Sequence, residues 1–302
     1  MAAAAGRAQC ALEEPSDETV ASLMPYLVST SFSKLLESIT IVGDATKTAN
    51  VRRDRIVELL DQKLTILNSF ATGSLVRGTG LKNRSDVDVM LVLHYGKHLK
   101  NKTPRAALEA VQDALSGYDA QIVKKNGQAV TLYFKTWPNV DIVPAKRVTV
   151  GEGFSLHIPD SNTGSWIETD PASHDIAMSV ASARKKQLIR AMKCWNEAHS
   201  SYFRSFHIEK VALACWVDEN DAEEGAWPGQ VKHFLERAIE LTEPTAELST
   251  EYEVGEWSEL RSRLRRGQEL AEAAWHACFR NDYATAIEKC RIIFGDKFPA
   301  YG

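Results

Sequence analysis

The segment that most constrains this chain runs from Asp86 to Leu93, Asp-Val-Asp-Val-Met-Leu-Val-Leu. It begins in strict alternation and ends wholly apolar, the pattern of a strand whose far end is buried on both faces. A strand places residues i and i+2 on one face. Asp86 and Asp88 therefore project together, while Val87, Val89 and Leu91 point into a core. Two carboxylates side by side repel unless something cationic sits between them. A hard divalent cation, typically Mg²⁺, suits oxygen ligands of this kind.

A third carboxylate stands in a similar setting. Asp141 lies in Asn139-Val140-Asp141-Ile142-Val143, an acidic side chain on the polar face of a half-buried strand. Three carboxylates on adjacent strands can hold two metal ions roughly 3.5–4 Å apart, the arrangement for in-line phosphoryl displacement. The other half of such a site is Gly73-Ser74, which follows a short apolar strand at 66–71. Glycine lets the backbone come close to a ligand. Successive backbone N–H groups, with the serine hydroxyl, can cradle phosphate oxygens. Each piece alone is ordinary, since a pair of aspartates can merely solvate a strand end. The combination is specific: Gly-Ser after a strand, D-x-D opening an apolar strand, and a third Asp some fifty residues on.

Around this constellation the pattern is mixed. Apolar residues recur at helical spacing over 19–39 and 49–63, and again over 104–116. Residues 130–134 and 140–143 read as strands joined at Trp137-Pro138-Asn139, a turn signal. Residues 158–166 are rich in Pro, Asp, Asn and Gly and predict an irregular loop. Asp170-Pro171 is a helix start, with Asp as cap and Pro at the first position. Helices are then expected at 173–199, 205–219, 230–241, 256–280 and 283–293, with an acidic surface loop at 218–229. With 302 residues, 44% of them hydrophobic, the chain can bury a large core. The expected division is a disordered tail at 1–17, an α/β core with N-terminal helices at 18–150, and a helical lobe at 151–302. A ligand cleft is expected between the lobes.

Composition excludes several classes. A formal net charge of −4 argues against a general duplex-DNA binder, which shows a basic face. It leaves room for small phosphorylated ligands, which need only a local positive patch. There is no apolar run of about 20 residues, so no membrane span is expected, and residues 1–10 lack the apolar core of a secretory signal. The five cysteines, Cys10, Cys194, Cys215, Cys278 and Cys290, form no C-x-x-C pair. Neither a disulfide framework nor a structural zinc site is expected, and a reducing cytoplasm fits. His94 and His98 have Gly96 between them and read as loop histidines rather than a helical metal pair.

Gly73-Ser74 with Asp86-x-Asp88 and Asp141 resembles the polymerase-β-like nucleotidyltransferase superfamily. Further residues resemble one branch, the CD-NTases (cGAS/DncV-like nucleotidyltransferases) of bacterial anti-phage defence. They include Ile158-Pro159-Asp160, Gly164-x-Trp166-x-x-Thr169-Asp170-Pro171 and His174. They also include Leu188-Ile189-Arg190-x-x-Lys193-x-Trp195-Asn196, Ser205-Phe206-x-x-Glu209, and Phe294-Gly295-Asp296-x-Phe298-Pro299. The similarity runs from about residue 50 to the end.

The resemblance implies an α+β fold, in which a nucleotidyltransferase lobe with a mixed sheet is followed by a helical lobe. It implies a synthase that condenses nucleoside triphosphates, ATP among them, into a cyclic di- or trinucleotide messenger and releases pyrophosphate, using two Mg²⁺ or Mn²⁺ ions at Asp86, Asp88 and Asp141. It also implies that Gly73 and Ser74 bind nucleotide and that Lys193 and Ser205 contact the triphosphate. Arg190 and Lys193 share a helix face, and Ser205 falls at a helix start, a natural anion site. The plainer readings are a solvated face for Lys193 and a simple cap for Ser205; Phe206 is a core residue or a base-stacking ring. The His/Cys zinc thumb of the animal enzyme is missing, so activation by duplex DNA is not expected. Alternatives are an RNA 3′ end or small-molecule acceptor, or a non-catalytic nucleotide-binding subunit. The terminal Gly302 fits conjugation by a ubiquitin-like ligase partner, some relatives being joined to other molecules through their C-terminus.

Overall fold

The computed structural model describes residues 27–217, 225–243, 246 and 254–299. The tail expected at 1–17 and the C-terminal Gly302 lie outside these residues. Two helices, α1 (Val28–Ile39) and α2 (Gly43–Lys63), lead into β1 (Ile66–Thr72) and the one-turn helix α3 (Gly73–Val76). Then come β2 (Val87–Leu93), a π-turn at Tyr95–Leu99, α4 (Pro104–Ala114), β3 (Ile122–Asn126), β4 (Ala129–Tyr133) and β5 (Val140–Val150). A hairpin of β6 (Gly153–Asp160) and β7 (Ser165–Thr169) follows. The remaining helices are α5 (Pro171–Ser179), α6 (Ala183–Ala198), α7 (Ser205–Leu213), α8 (Ala226–Leu241), α9 (Val254–Phe279) and α10 (Tyr283–Phe294).

The strands form one seven-stranded sheet in the order β1-β2-β5-β4-β3, with β6 paired to β5 and β7 to β6. β2 and β5 run parallel and the other pairs antiparallel. The sheet is therefore mixed, and the fold is α+β with a C-terminal helical lobe. β2 is interior and covered on both faces, as its apolar run requires. Val87, Val89 and Leu91 pack with Ile56 and Leu60 of α2 and Leu108 and Val111 of α4. Met90 and Val92 pack with Ala145 and Ile158 on the other side. α4 begins where sequence rules put it: Thr103 Oγ1 accepts from Ala106 N at 3.2 Å, and Pro104 takes the first position.

Three expectations need correction. Residues 158–166 are not an irregular loop; they are the tip of the β6–β7 hairpin. Asp160 shapes that tip, its carboxylate accepting from Asn162 N and Thr163 Oγ1 at 2.9 Å each. The Asp, Asn and Gly residues there mark a tight turn between strands. Next, the helix expected over 173–199 is two helices. Ser182 starts the second by accepting from Lys185 N at 3.1 Å. The sheet continues through Thr169, and α1 joins the helical core, where Phe32 stacks on Trp227 at 5.0 Å and meets Phe294 and Phe298 edge-on. Trp227-Pro228-Gly229, expected in a loop, forms the first turn of α8, where proline costs no hydrogen bond. Residues 218–224 of that acidic stretch lie outside the described residues. Among the described residues, no helix is long and apolar enough to cross a membrane.

Candidate functional site

Asp88 and Asp141 stand level with each other across the parallel β2–β5 pair. Asp86 lies one residue before β2 begins. The three carboxylates thus gather at the same end of the two central strands, and their titration reflects it. Burial, then the charge of Asp141, raises the Asp86 carboxyl. The Asp88 carboxyl is pushed up to about 7 by burial and by Asp141, although Arg77 and Lys193 pull it the other way. Burial also raises Asp141. Thr131, opposite Asp141 in the β4–β5 register, offsets only part of that cost. Asp141 Oδ1 is buried with no hydrogen bond of normal geometry. Among the described residues, no three His, Cys, Asp or Glu side chains stand in a ready metal cage. The donor chemistry fits a hard divalent cation all the same: clustered carboxylate oxygens, one of them orphaned, each made costly by its neighbours.

The Gly-Ser turn abuts this cluster. Gly73 has φ +85°, and a Cβ built on it would lie 1.8 Å from Asp88 Oδ2. Glycine is therefore required twice over, by the left-handed backbone and by the Asp88 carboxylate against it. The turn is closed by Arg77 N donating to Gly73 O at 3.2 Å and Thr79 N to Ser74 O at 2.9 Å. Ser74 sits in its first turn, half-buried.

Behind the turn lies a buried ionic network. Glu209 of α7 is fully buried. Its Oε1 accepts from Lys193 Nζ at 2.7 Å and from the Thr79 hydroxyl at 2.5 Å. Its Oε2 accepts from Arg77 Nε at 2.8 Å and faces His174 Nε2 at 2.7 Å. Arg77 Nη1 reaches on to Asp175 at 2.8 Å, and Thr72 donates to the same carboxylate at 3.0 Å. Burial alone would raise the Glu209 carboxyl; His174, Lys193 and Arg77 outweigh it and hold it far below the usual carboxylate range.

Asp86, Asp88, Asp141, Gly73 and Ser74 are thus brought together. Ser205 is the first residue of α7 and exposed, on the helix that also carries Glu209. Lys193 lies inside the helical lobe, behind the turn. It is 5% exposed, so it is not a solvated face, and its ammonium is taken up by Glu209 and by Thr79 O at 3.1 Å. Its neighbour on the same face, Arg190, donates to Gly78 O at 2.5 Å. Phe206 is not in the core: it is 41% exposed, tilted against His174 with ring centroids 4.5 Å apart. Arg77, Thr79, His174 and Asp175 were not assigned from sequence. Arg77 and Thr79 lie inside the Gly-Ser stretch and His174 among the quoted matches, but Asp175 carries no local signal. The described cysteines, Cys194, Cys215, Cys278 and Cys290, are buried and form no disulfide with one another. Burial pushes the Cys194 thiol to about 11 and Cys215 to about 12. His94 and His98 serve the π-turn: His98 Nε2 accepts from Thr65 N at 2.8 Å, and His94 Nδ1 from Lys97 N at 3.3 Å.

Comparison with known proteins agrees with this geometry. Among solved structures, CdnC of E. coli MS115-1 with ATP superposes with a TM-score of 0.71 at 17% identity, covering 92% of this chain and 99% of that one. The CD-NTase CdnG of Bradyrhizobium diazoefficiens in complex with GTP gives 0.70 at 13% identity, covering 90% and 96%. Vibrio cholerae DncV, a cyclic AMP-GMP synthase solved with a linear intermediate, gives 0.56 at 12%, covering 77% and 70%. At such identities these likenesses speak for the fold alone. A search of curated protein sequences finds no match. One family profile, the Second Messenger Oligonucleotide or Dinucleotide Synthetase domain, matches residues 27–180, just over half of the 302 residues. The chain, with its paired strands, Gly-Ser turn and helical lobe, belongs to the family of second messenger oligonucleotide or dinucleotide synthetases.

Proposed function

We propose that this chain joins nucleoside triphosphates, ATP among them, into a cyclic di- or trinucleotide messenger for anti-phage signalling. The family supports synthesis of such a messenger. The observation that carries the site is Asp88, level with Asp141 across parallel strands and pressed against the Gly73 backbone. Asp86, Asp88 and Asp141 would hold two Mg²⁺ or Mn²⁺ ions, which would supply neutralising charge at the reacting phosphate and acidify the attacking hydroxyl.

The chain's own residues supply position. The Gly73-Ser74 turn offers backbone N–H groups and a hydroxyl to the triphosphate oxygens. Ser205 offers another hydroxyl from the helical lobe. Held between them, the α-phosphate meets a ribose hydroxyl of a second nucleotide. The hydroxyl oxygen bonds to the α-phosphorus and gives up its proton to a carboxylate of the Asp86, Asp88 and Asp141 cluster, while the bond from phosphorus to the bridging oxygen breaks and pyrophosphate leaves with that electron pair. Fixing both reactants in line lowers the barrier by converting an encounter into an internal step. The same step repeated on the linear product closes the ring.

Transfer to an RNA 3′ end or a small-molecule acceptor is not favoured by the family, and a non-catalytic subunit is not favoured by three retained carboxylates. The test is incubation of purified protein with labelled nucleoside triphosphates and Mg²⁺ or Mn²⁺, followed by phosphatase. A resistant product is expected; only phosphatase-sensitive species would overturn the reading. Conjugation through Gly302 rests on sequence alone. Mass spectrometry of protein co-expressed with a ligase partner tests it, and an unmodified terminus in every species counts against it.

A further inference from the structure

We propose that Glu209 is the positioning residue of this site: it fixes the phosphate turn and the N-terminus of α7 at a set spacing. The inference rests on the reading above, in which Gly73-Ser74 and Ser205 receive the triphosphate. Glu209 lies four residues after Ser205 in the same helix, so the two share a face. Wherever the Glu209 carboxylate is held, Ser205 is carried with it.

The carboxylate is held from three sides. Arg77 and Thr79 are the C-terminal end of the turn that starts at Gly73, and both donate to Glu209. Lys193 reaches it from α6 and His174 from α5. α6 also grips the turn directly, through Arg190 on Gly78 O and Lys193 on Thr79 O. One side chain therefore ties the sheet lobe's phosphate turn to three helices of the other lobe. It is fully buried and touches no reacting atom, so it acts through the turn and through Ser205. An apolar contact would tie these elements at lower desolvation cost. A charge-assisted cluster adds direction: each donor has a fixed angle, so the turn has one orientation rather than several.

The experiment compares E209Q, E209D and Arg77→Lys with wild type, by calorimetry with a non-reactive triphosphate analogue and by steady-state kinetics, each well below the variant's melting temperature. E209Q keeps the shape and loses the charge that gathers Arg77 and Lys193; its analogue Kd and its KM should each rise about tenfold, the effect of weakening one hydrogen bond to a charged group. E209D keeps the charge and should restore most of that loss. Arg77→Lys keeps a cation but cannot bridge Glu209 and Asp175 together, so it should also weaken analogue binding; it carries the test where E209Q does not fold. A purely structural role lowers the melting temperature without moving Kd or KM. Unchanged affinity in folded E209Q, or in Arg77→Lys, overturns the proposal, as does E209D no better than E209Q. Binding is read without turnover, so a wild type that binds the analogue but makes no cyclic product overturns the functional reading and not this one.

Discussion

Two carboxylate sites lie on either side of the Gly73–Thr79 turn, and they solve burial in opposite ways. In front, burial raises the carboxyls of Asp86, Asp88 and Asp141, the charge of Asp141 raises the first two further, and Asp141 Oδ1 is left without a partner. Behind, Glu209 is fully buried, yet His174, Lys193 and Arg77 hold it ionised. Burial is costly for both. The difference is that one site carries its own cations and the other does not. The rear cluster is matched by the chain's own cations; under the proposed function, metal ions would match the front one.

The contrast breaks most visibly in activity. Asp141→Asn alone, or Asp86→Ala with Asp88→Ala, should abolish product formation while the fold persists. Because these carboxylates repel, the metal-free variants should melt no lower than wild type and somewhat higher. Near-normal turnover by the double variant, in a product assay, would sink the assignment of the front cluster.

Behind the turn the expected sign is reversed. Lys193→Ala leaves the buried Glu209 short of a cation and should destabilise the protein by about 3–5 kcal/mol in denaturant unfolding. Lys186→Ala, on the same helix but outside the network, should stay within about 0.5 kcal/mol. Equal costs for the two would mean that Lys193 does not support Glu209.

The turn between the sites is the third test. Gly73→Ala places a methyl where Asp88 Oδ2 stands, 1.8 Å away, at a positive φ. Either the turn or the carboxylate must move, and a shift of that size should lower kcat about a hundredfold. Unchanged kcat in Gly73→Ala would show that this contact does not set the site.

The smallest effect is on stability against pH. The Asp88 carboxyl is raised in the folded state from 3.8 to about 7, so its contribution is full at low pH and is lost as pH rises through about 7. Glu209 is depressed from 4.5, so its contribution is present above that value and is lost as pH falls below it. The metal-free protein should therefore lose melting temperature between about pH 5 and pH 7. Asp88→Asn should flatten that slope, and Mg²⁺ should raise the melting temperature more at pH 8 than at pH 5. A metal-free melting curve that does not change over this range would contradict the proposed repulsion.

Much of this was legible in the chain. The alternation at Asp86–Asp88, the apolar run after it and the cap at Asp170 depend on near neighbours, and the structure places them as expected. The β6–β7 hairpin was missed because its turn residues are the same types that make loops. The break between α5 and α6 was missed because Ser182 is an ordinary residue inside a helical pattern.

What the sequence alone determined is the set of acidic and glycine residues that gather at one end of the central strands, because strand periodicity fixes which side chains share a face. What only the tertiary structure decided is where the positive charge goes. Lys193 looks like a phosphate contact or a solvated residue in sequence. In the fold it turns inward to Glu209, while Arg77 joins the same carboxylate from 132 residues away and also donates to Asp175, 98 residues from Arg77. Such pairings have no local signature: each partner is chosen by proximity after the lobes dock, where a buried charge must be matched by whatever cation the packing brings within reach.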